Sequence, residues 1–243
     1  MDQIIDYTNF DQVLSDLHSL NQAIADIRQK MVTMCGVSYA SQDARHIALE
    51  GLQCDIGACG NWIKTLMSLK GLSQEKYGNN WDAQYRKLIG TGLTSGQAED
   101  LMLGYLRNTL ITKVHFKIEN LFNNILKALS ASPSKKGFWN ISNAMLQQAG
   151  IPTTGPEKNT LSVLSNLRNS YHANGMHNND SLSIDIDGIR FEFCKGKKVM
   201  CGSWKHIVVI MRANISVLES VLLSNKVVNL KSEIPDAFSA GNP

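Results

Sequence analysis

Apolar residues recur every three or four positions over most of the chain, which is the spacing of amphipathic helices. Phe10, Val13, Leu17, Leu20, Ile24 and Ile27 fall on one side of a helix that Thr8 or Asn9 can cap and that runs to about Met34. Ser41 can cap a second helix, with Ile47, Leu52, Ile56, Cys59, Ile63 and Leu66 at helical spacing. These two are expected to pack as an antiparallel pair through a turn at residues 36–40. Glycine and asparagine at 71, 78, 79, 80, 90 and 92 predict a loop over residues 70–93, holding one short helix at about 81–88.

Thr94 and Gln97 form a capping box at the start of a long helix that reaches about Leu129. Leu103, Leu106, Leu110, Val114, Ile118, Leu121 and Ile125 make its apolar stripe. A shorter helix is predicted over residues 141–148, ending at Gly150. Thr154 and Glu157 then offer a second box, opening a helix that ends near His172 or Ala173, where Asn174-Gly175 is a left-handed stop. Here the period changes to two. Leu182, Ile184 and Ile186 alternate with polar residues, Asp187-Gly188 is a two-residue hairpin signal, and Ile189, Phe191 and Phe193 continue the same apolar face. Residues 197–201 add a third short strand, Ser203 caps a final helix, and the segment after Asn225 is expected to be mobile.

The fold class predicted is therefore mainly α, a helical bundle with a small antiparallel hairpin inserted before the C-terminal helix. It divides into a helical N-terminal region (1–93), a helical domain (94–225) carrying the hairpin region at 182–201, and a tail (226–243). No apolar run is long enough to span a membrane, and no secretion signal is recognised at the N-terminus. Five cysteines in such a chain are expected to be reduced thiols in a cytoplasmic setting. The net charge of +3 is too small to imply nucleic acid by itself. Its distribution says more: residues 1–92 hold eight Lys/Arg against ten Asp/Glu, and residues 93–243 hold sixteen against eleven. The basic second half includes Lys135-Lys136 and Lys195-Gly196-Lys197-Lys198.

The chemistry-bearing stretch is Arg168-Asn169-Ser170-Tyr171-His172, at the end of a predicted helix. Positions i and i+4 share a helical face, so a fixed cation and a side chain that exchanges protons near neutral pH can address one phosphate together. The same rim position also suits a helix–helix contact. Together with the order of elements, this stretch resembles the HEPN superfamily, small helical domains of prokaryotic toxins, defence systems and RNA-processing proteins. The family motif is an arginine, usually a polar residue after it, and a histidine after four to six intervening residues. Arg168 and Asn169 match its first part. His172 follows after three intervening residues and His177 after eight, while Ala173, Asn174 and Gly175 occupy the family's histidine positions.

The resemblance covers residues 94–225 and implies a homodimer with facing motifs that cleaves RNA without a metal ion or other cofactor. Under it His172 moves protons, Arg168 stabilises phosphoryl charge, and Asn169 hydrogen-bonds the phosphate or orients the imidazole. His177 and Arg107 are candidate substrate ligands, Arg107 because its helix runs antiparallel to the motif helix in that arrangement. The alternative it implies is a non-catalytic module for dimerisation or for docking a protein partner. The remaining signals point elsewhere only weakly. Cys54 and Cys59 lack a second Cys/His pair at zinc-site spacing. No phosphate-binding glycine loop, dinucleotide fingerprint or serine-hydrolase elbow is present. Arg45-His46 and Lys205-His206 read as surface pairs, and His115 as part of a solvated helix face.

Overall fold

A computed structural model of the chain describes residues 10–36, 42–90, 92–133 and 135–236. The expected caps at Thr8, Asn9 and Ser41 lie outside these. Helix α1 spans Phe10–Cys35 and buries Val13, Leu17, Leu20, Ile24, Ile27 and Met31, the stripe that its periodicity predicts. Helix α2, Ala44–Tyr77, is capped by Asp43, whose carboxylate accepts from the Arg45 amide. The two run antiparallel. Gln53 on α2 donates to the Asn21 carbonyl at 3.1 Å and accepts from Arg28 at 2.7 Å, while Gly60 lies against Leu14 and Leu17.

Residues 70–77 continue α2 instead of forming a loop. Gly71 costs the helix only about 1 kcal/mol, and the surrounding Leu72, Gln74, Glu75 and Lys76 are good helix formers. The chain turns at Gly78, which takes a positive φ of 52°. Helix α3, Trp81–Ile89, follows a single tight turn, and its Trp81 stacks on Tyr77 at 5.7 Å and meets Tyr85 edge-on at 5.6 Å. Helix α4, Ser95–Ala128, opens with the expected capping box: the Gln97 amide donates to Thr94 Oγ1 at 3.1 Å, and the Thr94 amide to Gln97 Oε1 at 2.9 Å. It packs antiparallel on α2, where Asp55 accepts from Lys113 at 2.8 Å and forms an ion pair with Lys117.

Helix α5, Phe138–Ala149, ends at a left-handed Gly150. Helix α6, Pro156–His172, starts one residue later than the Thr154/Glu157 box would place it. Gly155 is its N-cap and makes no side-chain cap bond, because Pro156 takes the first helical position with its φ preset and no amide to satisfy. Asn174 and Gly175 then adopt positive φ, as expected of the stop.

Strands β1 (Met176–His177) and β4 (Lys197–Lys198) pair as a short ribbon. Strands β2 (Leu182–Ile186) and β3 (Ile189–Phe193) form the hairpin, with Ile186 opposite Ile189. Its turn residues Asp187 and Gly188 are both left-handed, the geometry that matches strand twist. The predicted third strand therefore exists but pairs with β1, not with the hairpin. Helix α7, Trp204–Leu222, is capped by Ser203 and buries Ile207, Ile210, Met211, Val217, Leu218 and Val221. One contiguous apolar core joins α1, α2 and α4 to α5, α6, the hairpin and α7. All five cysteines are free thiols.

The segment beyond α7 packs on the bundle, against the expectation of a loose tail from residue 226. Helix α8, Asn225–Val228, buries Val227, and Ile234 and Asp236 are buried after it. Asp236 accepts from Asn120 and Asn124 on α4. Arg45 and Asp43 hold the same segment from α2 and are fully buried, which corrects the reading of Arg45-His46 as a surface pair. Residues 237–243 lie outside the described part.

Candidate functional site

The site stands where the last turns of α6 cross the middle of α4. Ridge positions four apart on α6 put Arg168 and His172 side by side. Arg168 is half-buried. Its guanidinium lies over the Phe116 ring, 5.0 Å from the centroid, and its Nη1 donates to Asn169 Oδ1 at 3.0 Å. The Arg168 Nε is buried without an acceptor. His172 is exposed and lines an open groove with Tyr171 and with Asn108, Thr109, Thr112 and Lys113 of α4. Asn169 is exposed. Of the three candidates only His172 lines the groove; Arg168 stands one turn back on α6, held by Asn169 and Phe116.

The other two candidates are placed differently. His177 is 1% exposed. Its Nδ1 is 3.3 Å from Ser170 Oγ, its Nε2 is 3.0 Å from the Asp180 carbonyl, and its ring packs on Phe193. Both nitrogens are used inside the protein, so His177 fastens β1 to α6 and has no open face for substrate. Arg107 lies 5.7 Å from the centroid of the buried Trp204 ring and acts electrostatically on Tyr171, at the edge of the groove. Tyr171 is itself pushed up to about 12 by burial, and its hydroxyl fits only because residue 202 is glycine: a Cβ there would stand 2.8 Å from it.

Sequence reasoning missed the floor of the site. His115 is 3% exposed, with both ring nitrogens buried and unbonded. Its ring tilts against Phe138 at 4.1 Å and meets Phe116 edge-on. Burial, reinforced electrostatically by Arg168 and His172, depresses its pKa to about 4, so it is neutral at physiological pH. Glu119, one turn along α4, approaches it at 3.9 Å. Burial raises the Glu119 pKa, and Arg168 opposes that shift. The signal for His115 was present in the sequence. Ile111, His115, Ile118 and Phe122 follow helical spacing and are all buried.

This burial has a measurable consequence. The unfolded chain protonates a histidine near pH 6.5, whereas the folded chain resists until about 4. The contribution of His115 to stability is therefore complete above pH 6.5 and falls away as the pH drops towards 4. Urea midpoints of the wild type should decline across that window, and His115→Phe should flatten the decline. Parallel profiles for the two proteins would refute the assignment.

Among the described residues no three His, Cys, Asp or Glu side chains cluster to hold a metal ion. Among the same residues no helix is long and apolar enough to cross a membrane. Compared with family models, with curated proteins and with solved structures, the chain matches none. The likeness read in its sequence therefore rests on the Arg168 stretch and the order of elements.

Proposed function

We propose that this chain is a metal-independent endoribonuclease of HEPN type, working in a toxin or defence setting, with Arg168 and His172 as its site. One observation carries the reading: a half-buried guanidinium and an exposed imidazole share a ridge of α6, and the imidazole lines an open groove. Packing of Arg168 on Phe116 supports a preorganised cation. The exposed imidazole suits proton transfer with a bound ribose.

A second copy completes the site. Met102, Tyr105, Thr109, Thr112 and Phe116 follow alternating steps of three and four along α4, the spacing of a helix-pairing seam. Met102, Tyr105 and Phe116 are large, apolar and exposed, Tyr105 by 70%. The seam borders the groove, so a two-fold contact through it would bring two Arg/His pairs together. Light scattering should show a dimer, and Tyr105→Glu with Phe116→Glu should convert it to monomer. A wild type that stays monomeric at tens of micromolar would remove the composite site.

The test of the function is incubation with RNA in excess chelator, comparing the wild type with an Arg168→Ala/His172→Ala double variant. Cleavage by the first and not the second is expected. The alternative is a non-catalytic dimerisation or docking module. The hold of Asn169 and Phe116 on Arg168, which would suit a structural arginine, favours it. Absence of cleavage by a dimeric wild type would select it.

A further inference from the structure

The ribbon that follows the site presents two cations that no described residue pairs with. Lys197 stands opposite His177 and Lys198 opposite Met176, four residues past His172. Both lysines are exposed and make no ion pair among the described residues. Their neighbour Lys195 is already paired with Asp180 at 3.0 Å. Glu192, the nearest acidic residue on β3, accepts from Cys194 Sγ at 3.9 Å. Met200, just beyond, is 63% exposed.

The ribbon is held rigidly against the end of α6. The Gly175 amide donates to the Ser170 carbonyl at 2.8 Å, and the Val199 amide to the Gly175 carbonyl at 2.9 Å. The Gly196 amide donates to the His177 carbonyl at 2.7 Å. Buried His177 bonds back to Ser170 and rings against Phe193. The backbone that carries Lys197 and Lys198 is therefore fixed relative to the end of α6, and the two side chains leave it on opposite faces of the ribbon. Cations on an ordered backbone spare a polyanion the cost of ordering that backbone, and only the lysine rotamers remain to be fixed. Met200 adds a polarizable apolar surface suited to the face of a base.

We infer that the β1–β4 ribbon is a strand-binding element, in which Lys197 and Lys198 contact backbone phosphates of a single-stranded RNA whose neighbouring nucleotides lie at Arg168 and His172. This rests on the nuclease reading for the identity of the polymer. Each phosphate contact on a single strand contributes about 0.7 to the slope of log affinity against log salt.

The experiment is fluorescence anisotropy with a labelled, single-stranded 2′-O-methyl RNA, which cannot be cut by attack of its own 2′-hydroxyl. Affinity is measured between about 50 and 200 mM salt. Lys197→Gln/Lys198→Gln should lower the slope by about 1.4 and weaken binding roughly tenfold at the low-salt end. Lys197→Arg/Lys198→Arg should restore both. Lys135→Gln/Lys136→Gln, on the loop before α5, should change binding less than twofold. A melting temperature matching the wild type shows that the fold is intact, and rescue by arginine carries the argument if it is not.

Unchanged slope, equal loss in the Lys135/Lys136 variant, or no saturable binding by the wild type would overturn the inference. So would a loss confined to phosphatidylserine vesicles with RNA binding intact, which would make the ribbon a membrane-surface contact. Failure of the nuclease reading looks different: RNA binding would depend on the ribbon while unmodified RNA stays uncut.

Discussion

Alanine at His172 is expected to slow RNA cleavage by about a hundredfold or more, the usual scale for losing a general acid or base. In the proposed reaction the 2′-hydroxyl oxygen would attack phosphorus as its proton is taken up, and the bond to the 5′-oxygen would break as that oxygen gains a proton. One histidine from each protomer would divide these two transfers. Arg168→Ala should do comparable damage, because charge builds on the non-bridging oxygens in the transition state. Arg168→Lys should rescue little, since an ammonium cannot reproduce the planar fork or its packing on Phe116. Products should end in 2′,3′-cyclic phosphate or its hydrolysed form, and DNA should remain whole. His172 is exposed, so its alanine variant should melt with the wild type. Arg168 is half-buried over Phe116, so its variants need that check more. Full activity in either alanine variant would place the chemistry elsewhere.

The parts of the fold legible in the sequence were those decided locally. Three-and-four spacing marked α1 and α4 because each buries one stripe. Thr94 and Gln97 announced a helix start because both halves of their box lie within one turn. Asp187-Gly188 set the hairpin register because only that turn aligns Ile186 with Ile189 on the inner face. The Arg168–His172 ridge was legible for the same reason, since both residues and the Asn174-Gly175 stop lie on one short stretch.

What the sequence hid depends on contacts between distant segments. Glycine and asparagine read as a loop from residue 70, yet α2 runs on to Tyr77, and Lys70 pairs with Glu99 of α4. His115 read as solvated because Lys113 and Lys117 flank it. Those lysines turn out to face Asp55 on α2 while the imidazole turns inward onto Phe138. His177 read as a candidate ligand although it lies beyond the family spacing, and the reversal of the chain at Gly175 folds it under Ser170. The segment after Asn225 looked free because its anchors, Asp43 and Arg45, lie some 180 residues earlier.

Those anchors carry the largest expected effect on stability. Both Asp43 and Arg45 are 0% exposed. Arg45 Nε and Nη2 donate to the two carboxylate oxygens of Asp43 at 2.8 and 2.7 Å, a bidentate pair. Arg45 also donates to the carbonyls of Val227, Leu230 and Ser232. Asp43 also accepts from the Ile234 amide at 2.9 Å. Burial alone would raise the Asp43 pKa, but the hydrogen bonds from Arg45 and Ile234 outweigh it and hold the carboxyl below its ordinary value. Removing either partner leaves the other charge buried and uncompensated, at a cost of about 3–5 kcal/mol. Asp43→Ala and Arg45→Met should each lower stability on that scale. The double variant should cost less than the sum, because neither charge is then left alone. Either single variant should also expose residues 225–236 to protease before the rest unfolds. The acid response should separate this pair from His115. A depressed carboxyl stabilises fully above its ordinary pKa near 4 and loses that contribution as the pH falls through its lower folded value. Asp43 should therefore act below the window in which His115 titrates. Single variants within about 1 kcal/mol of the wild type, typical of an exposed ion pair, would show that the clasp does not hold the C-terminal segment.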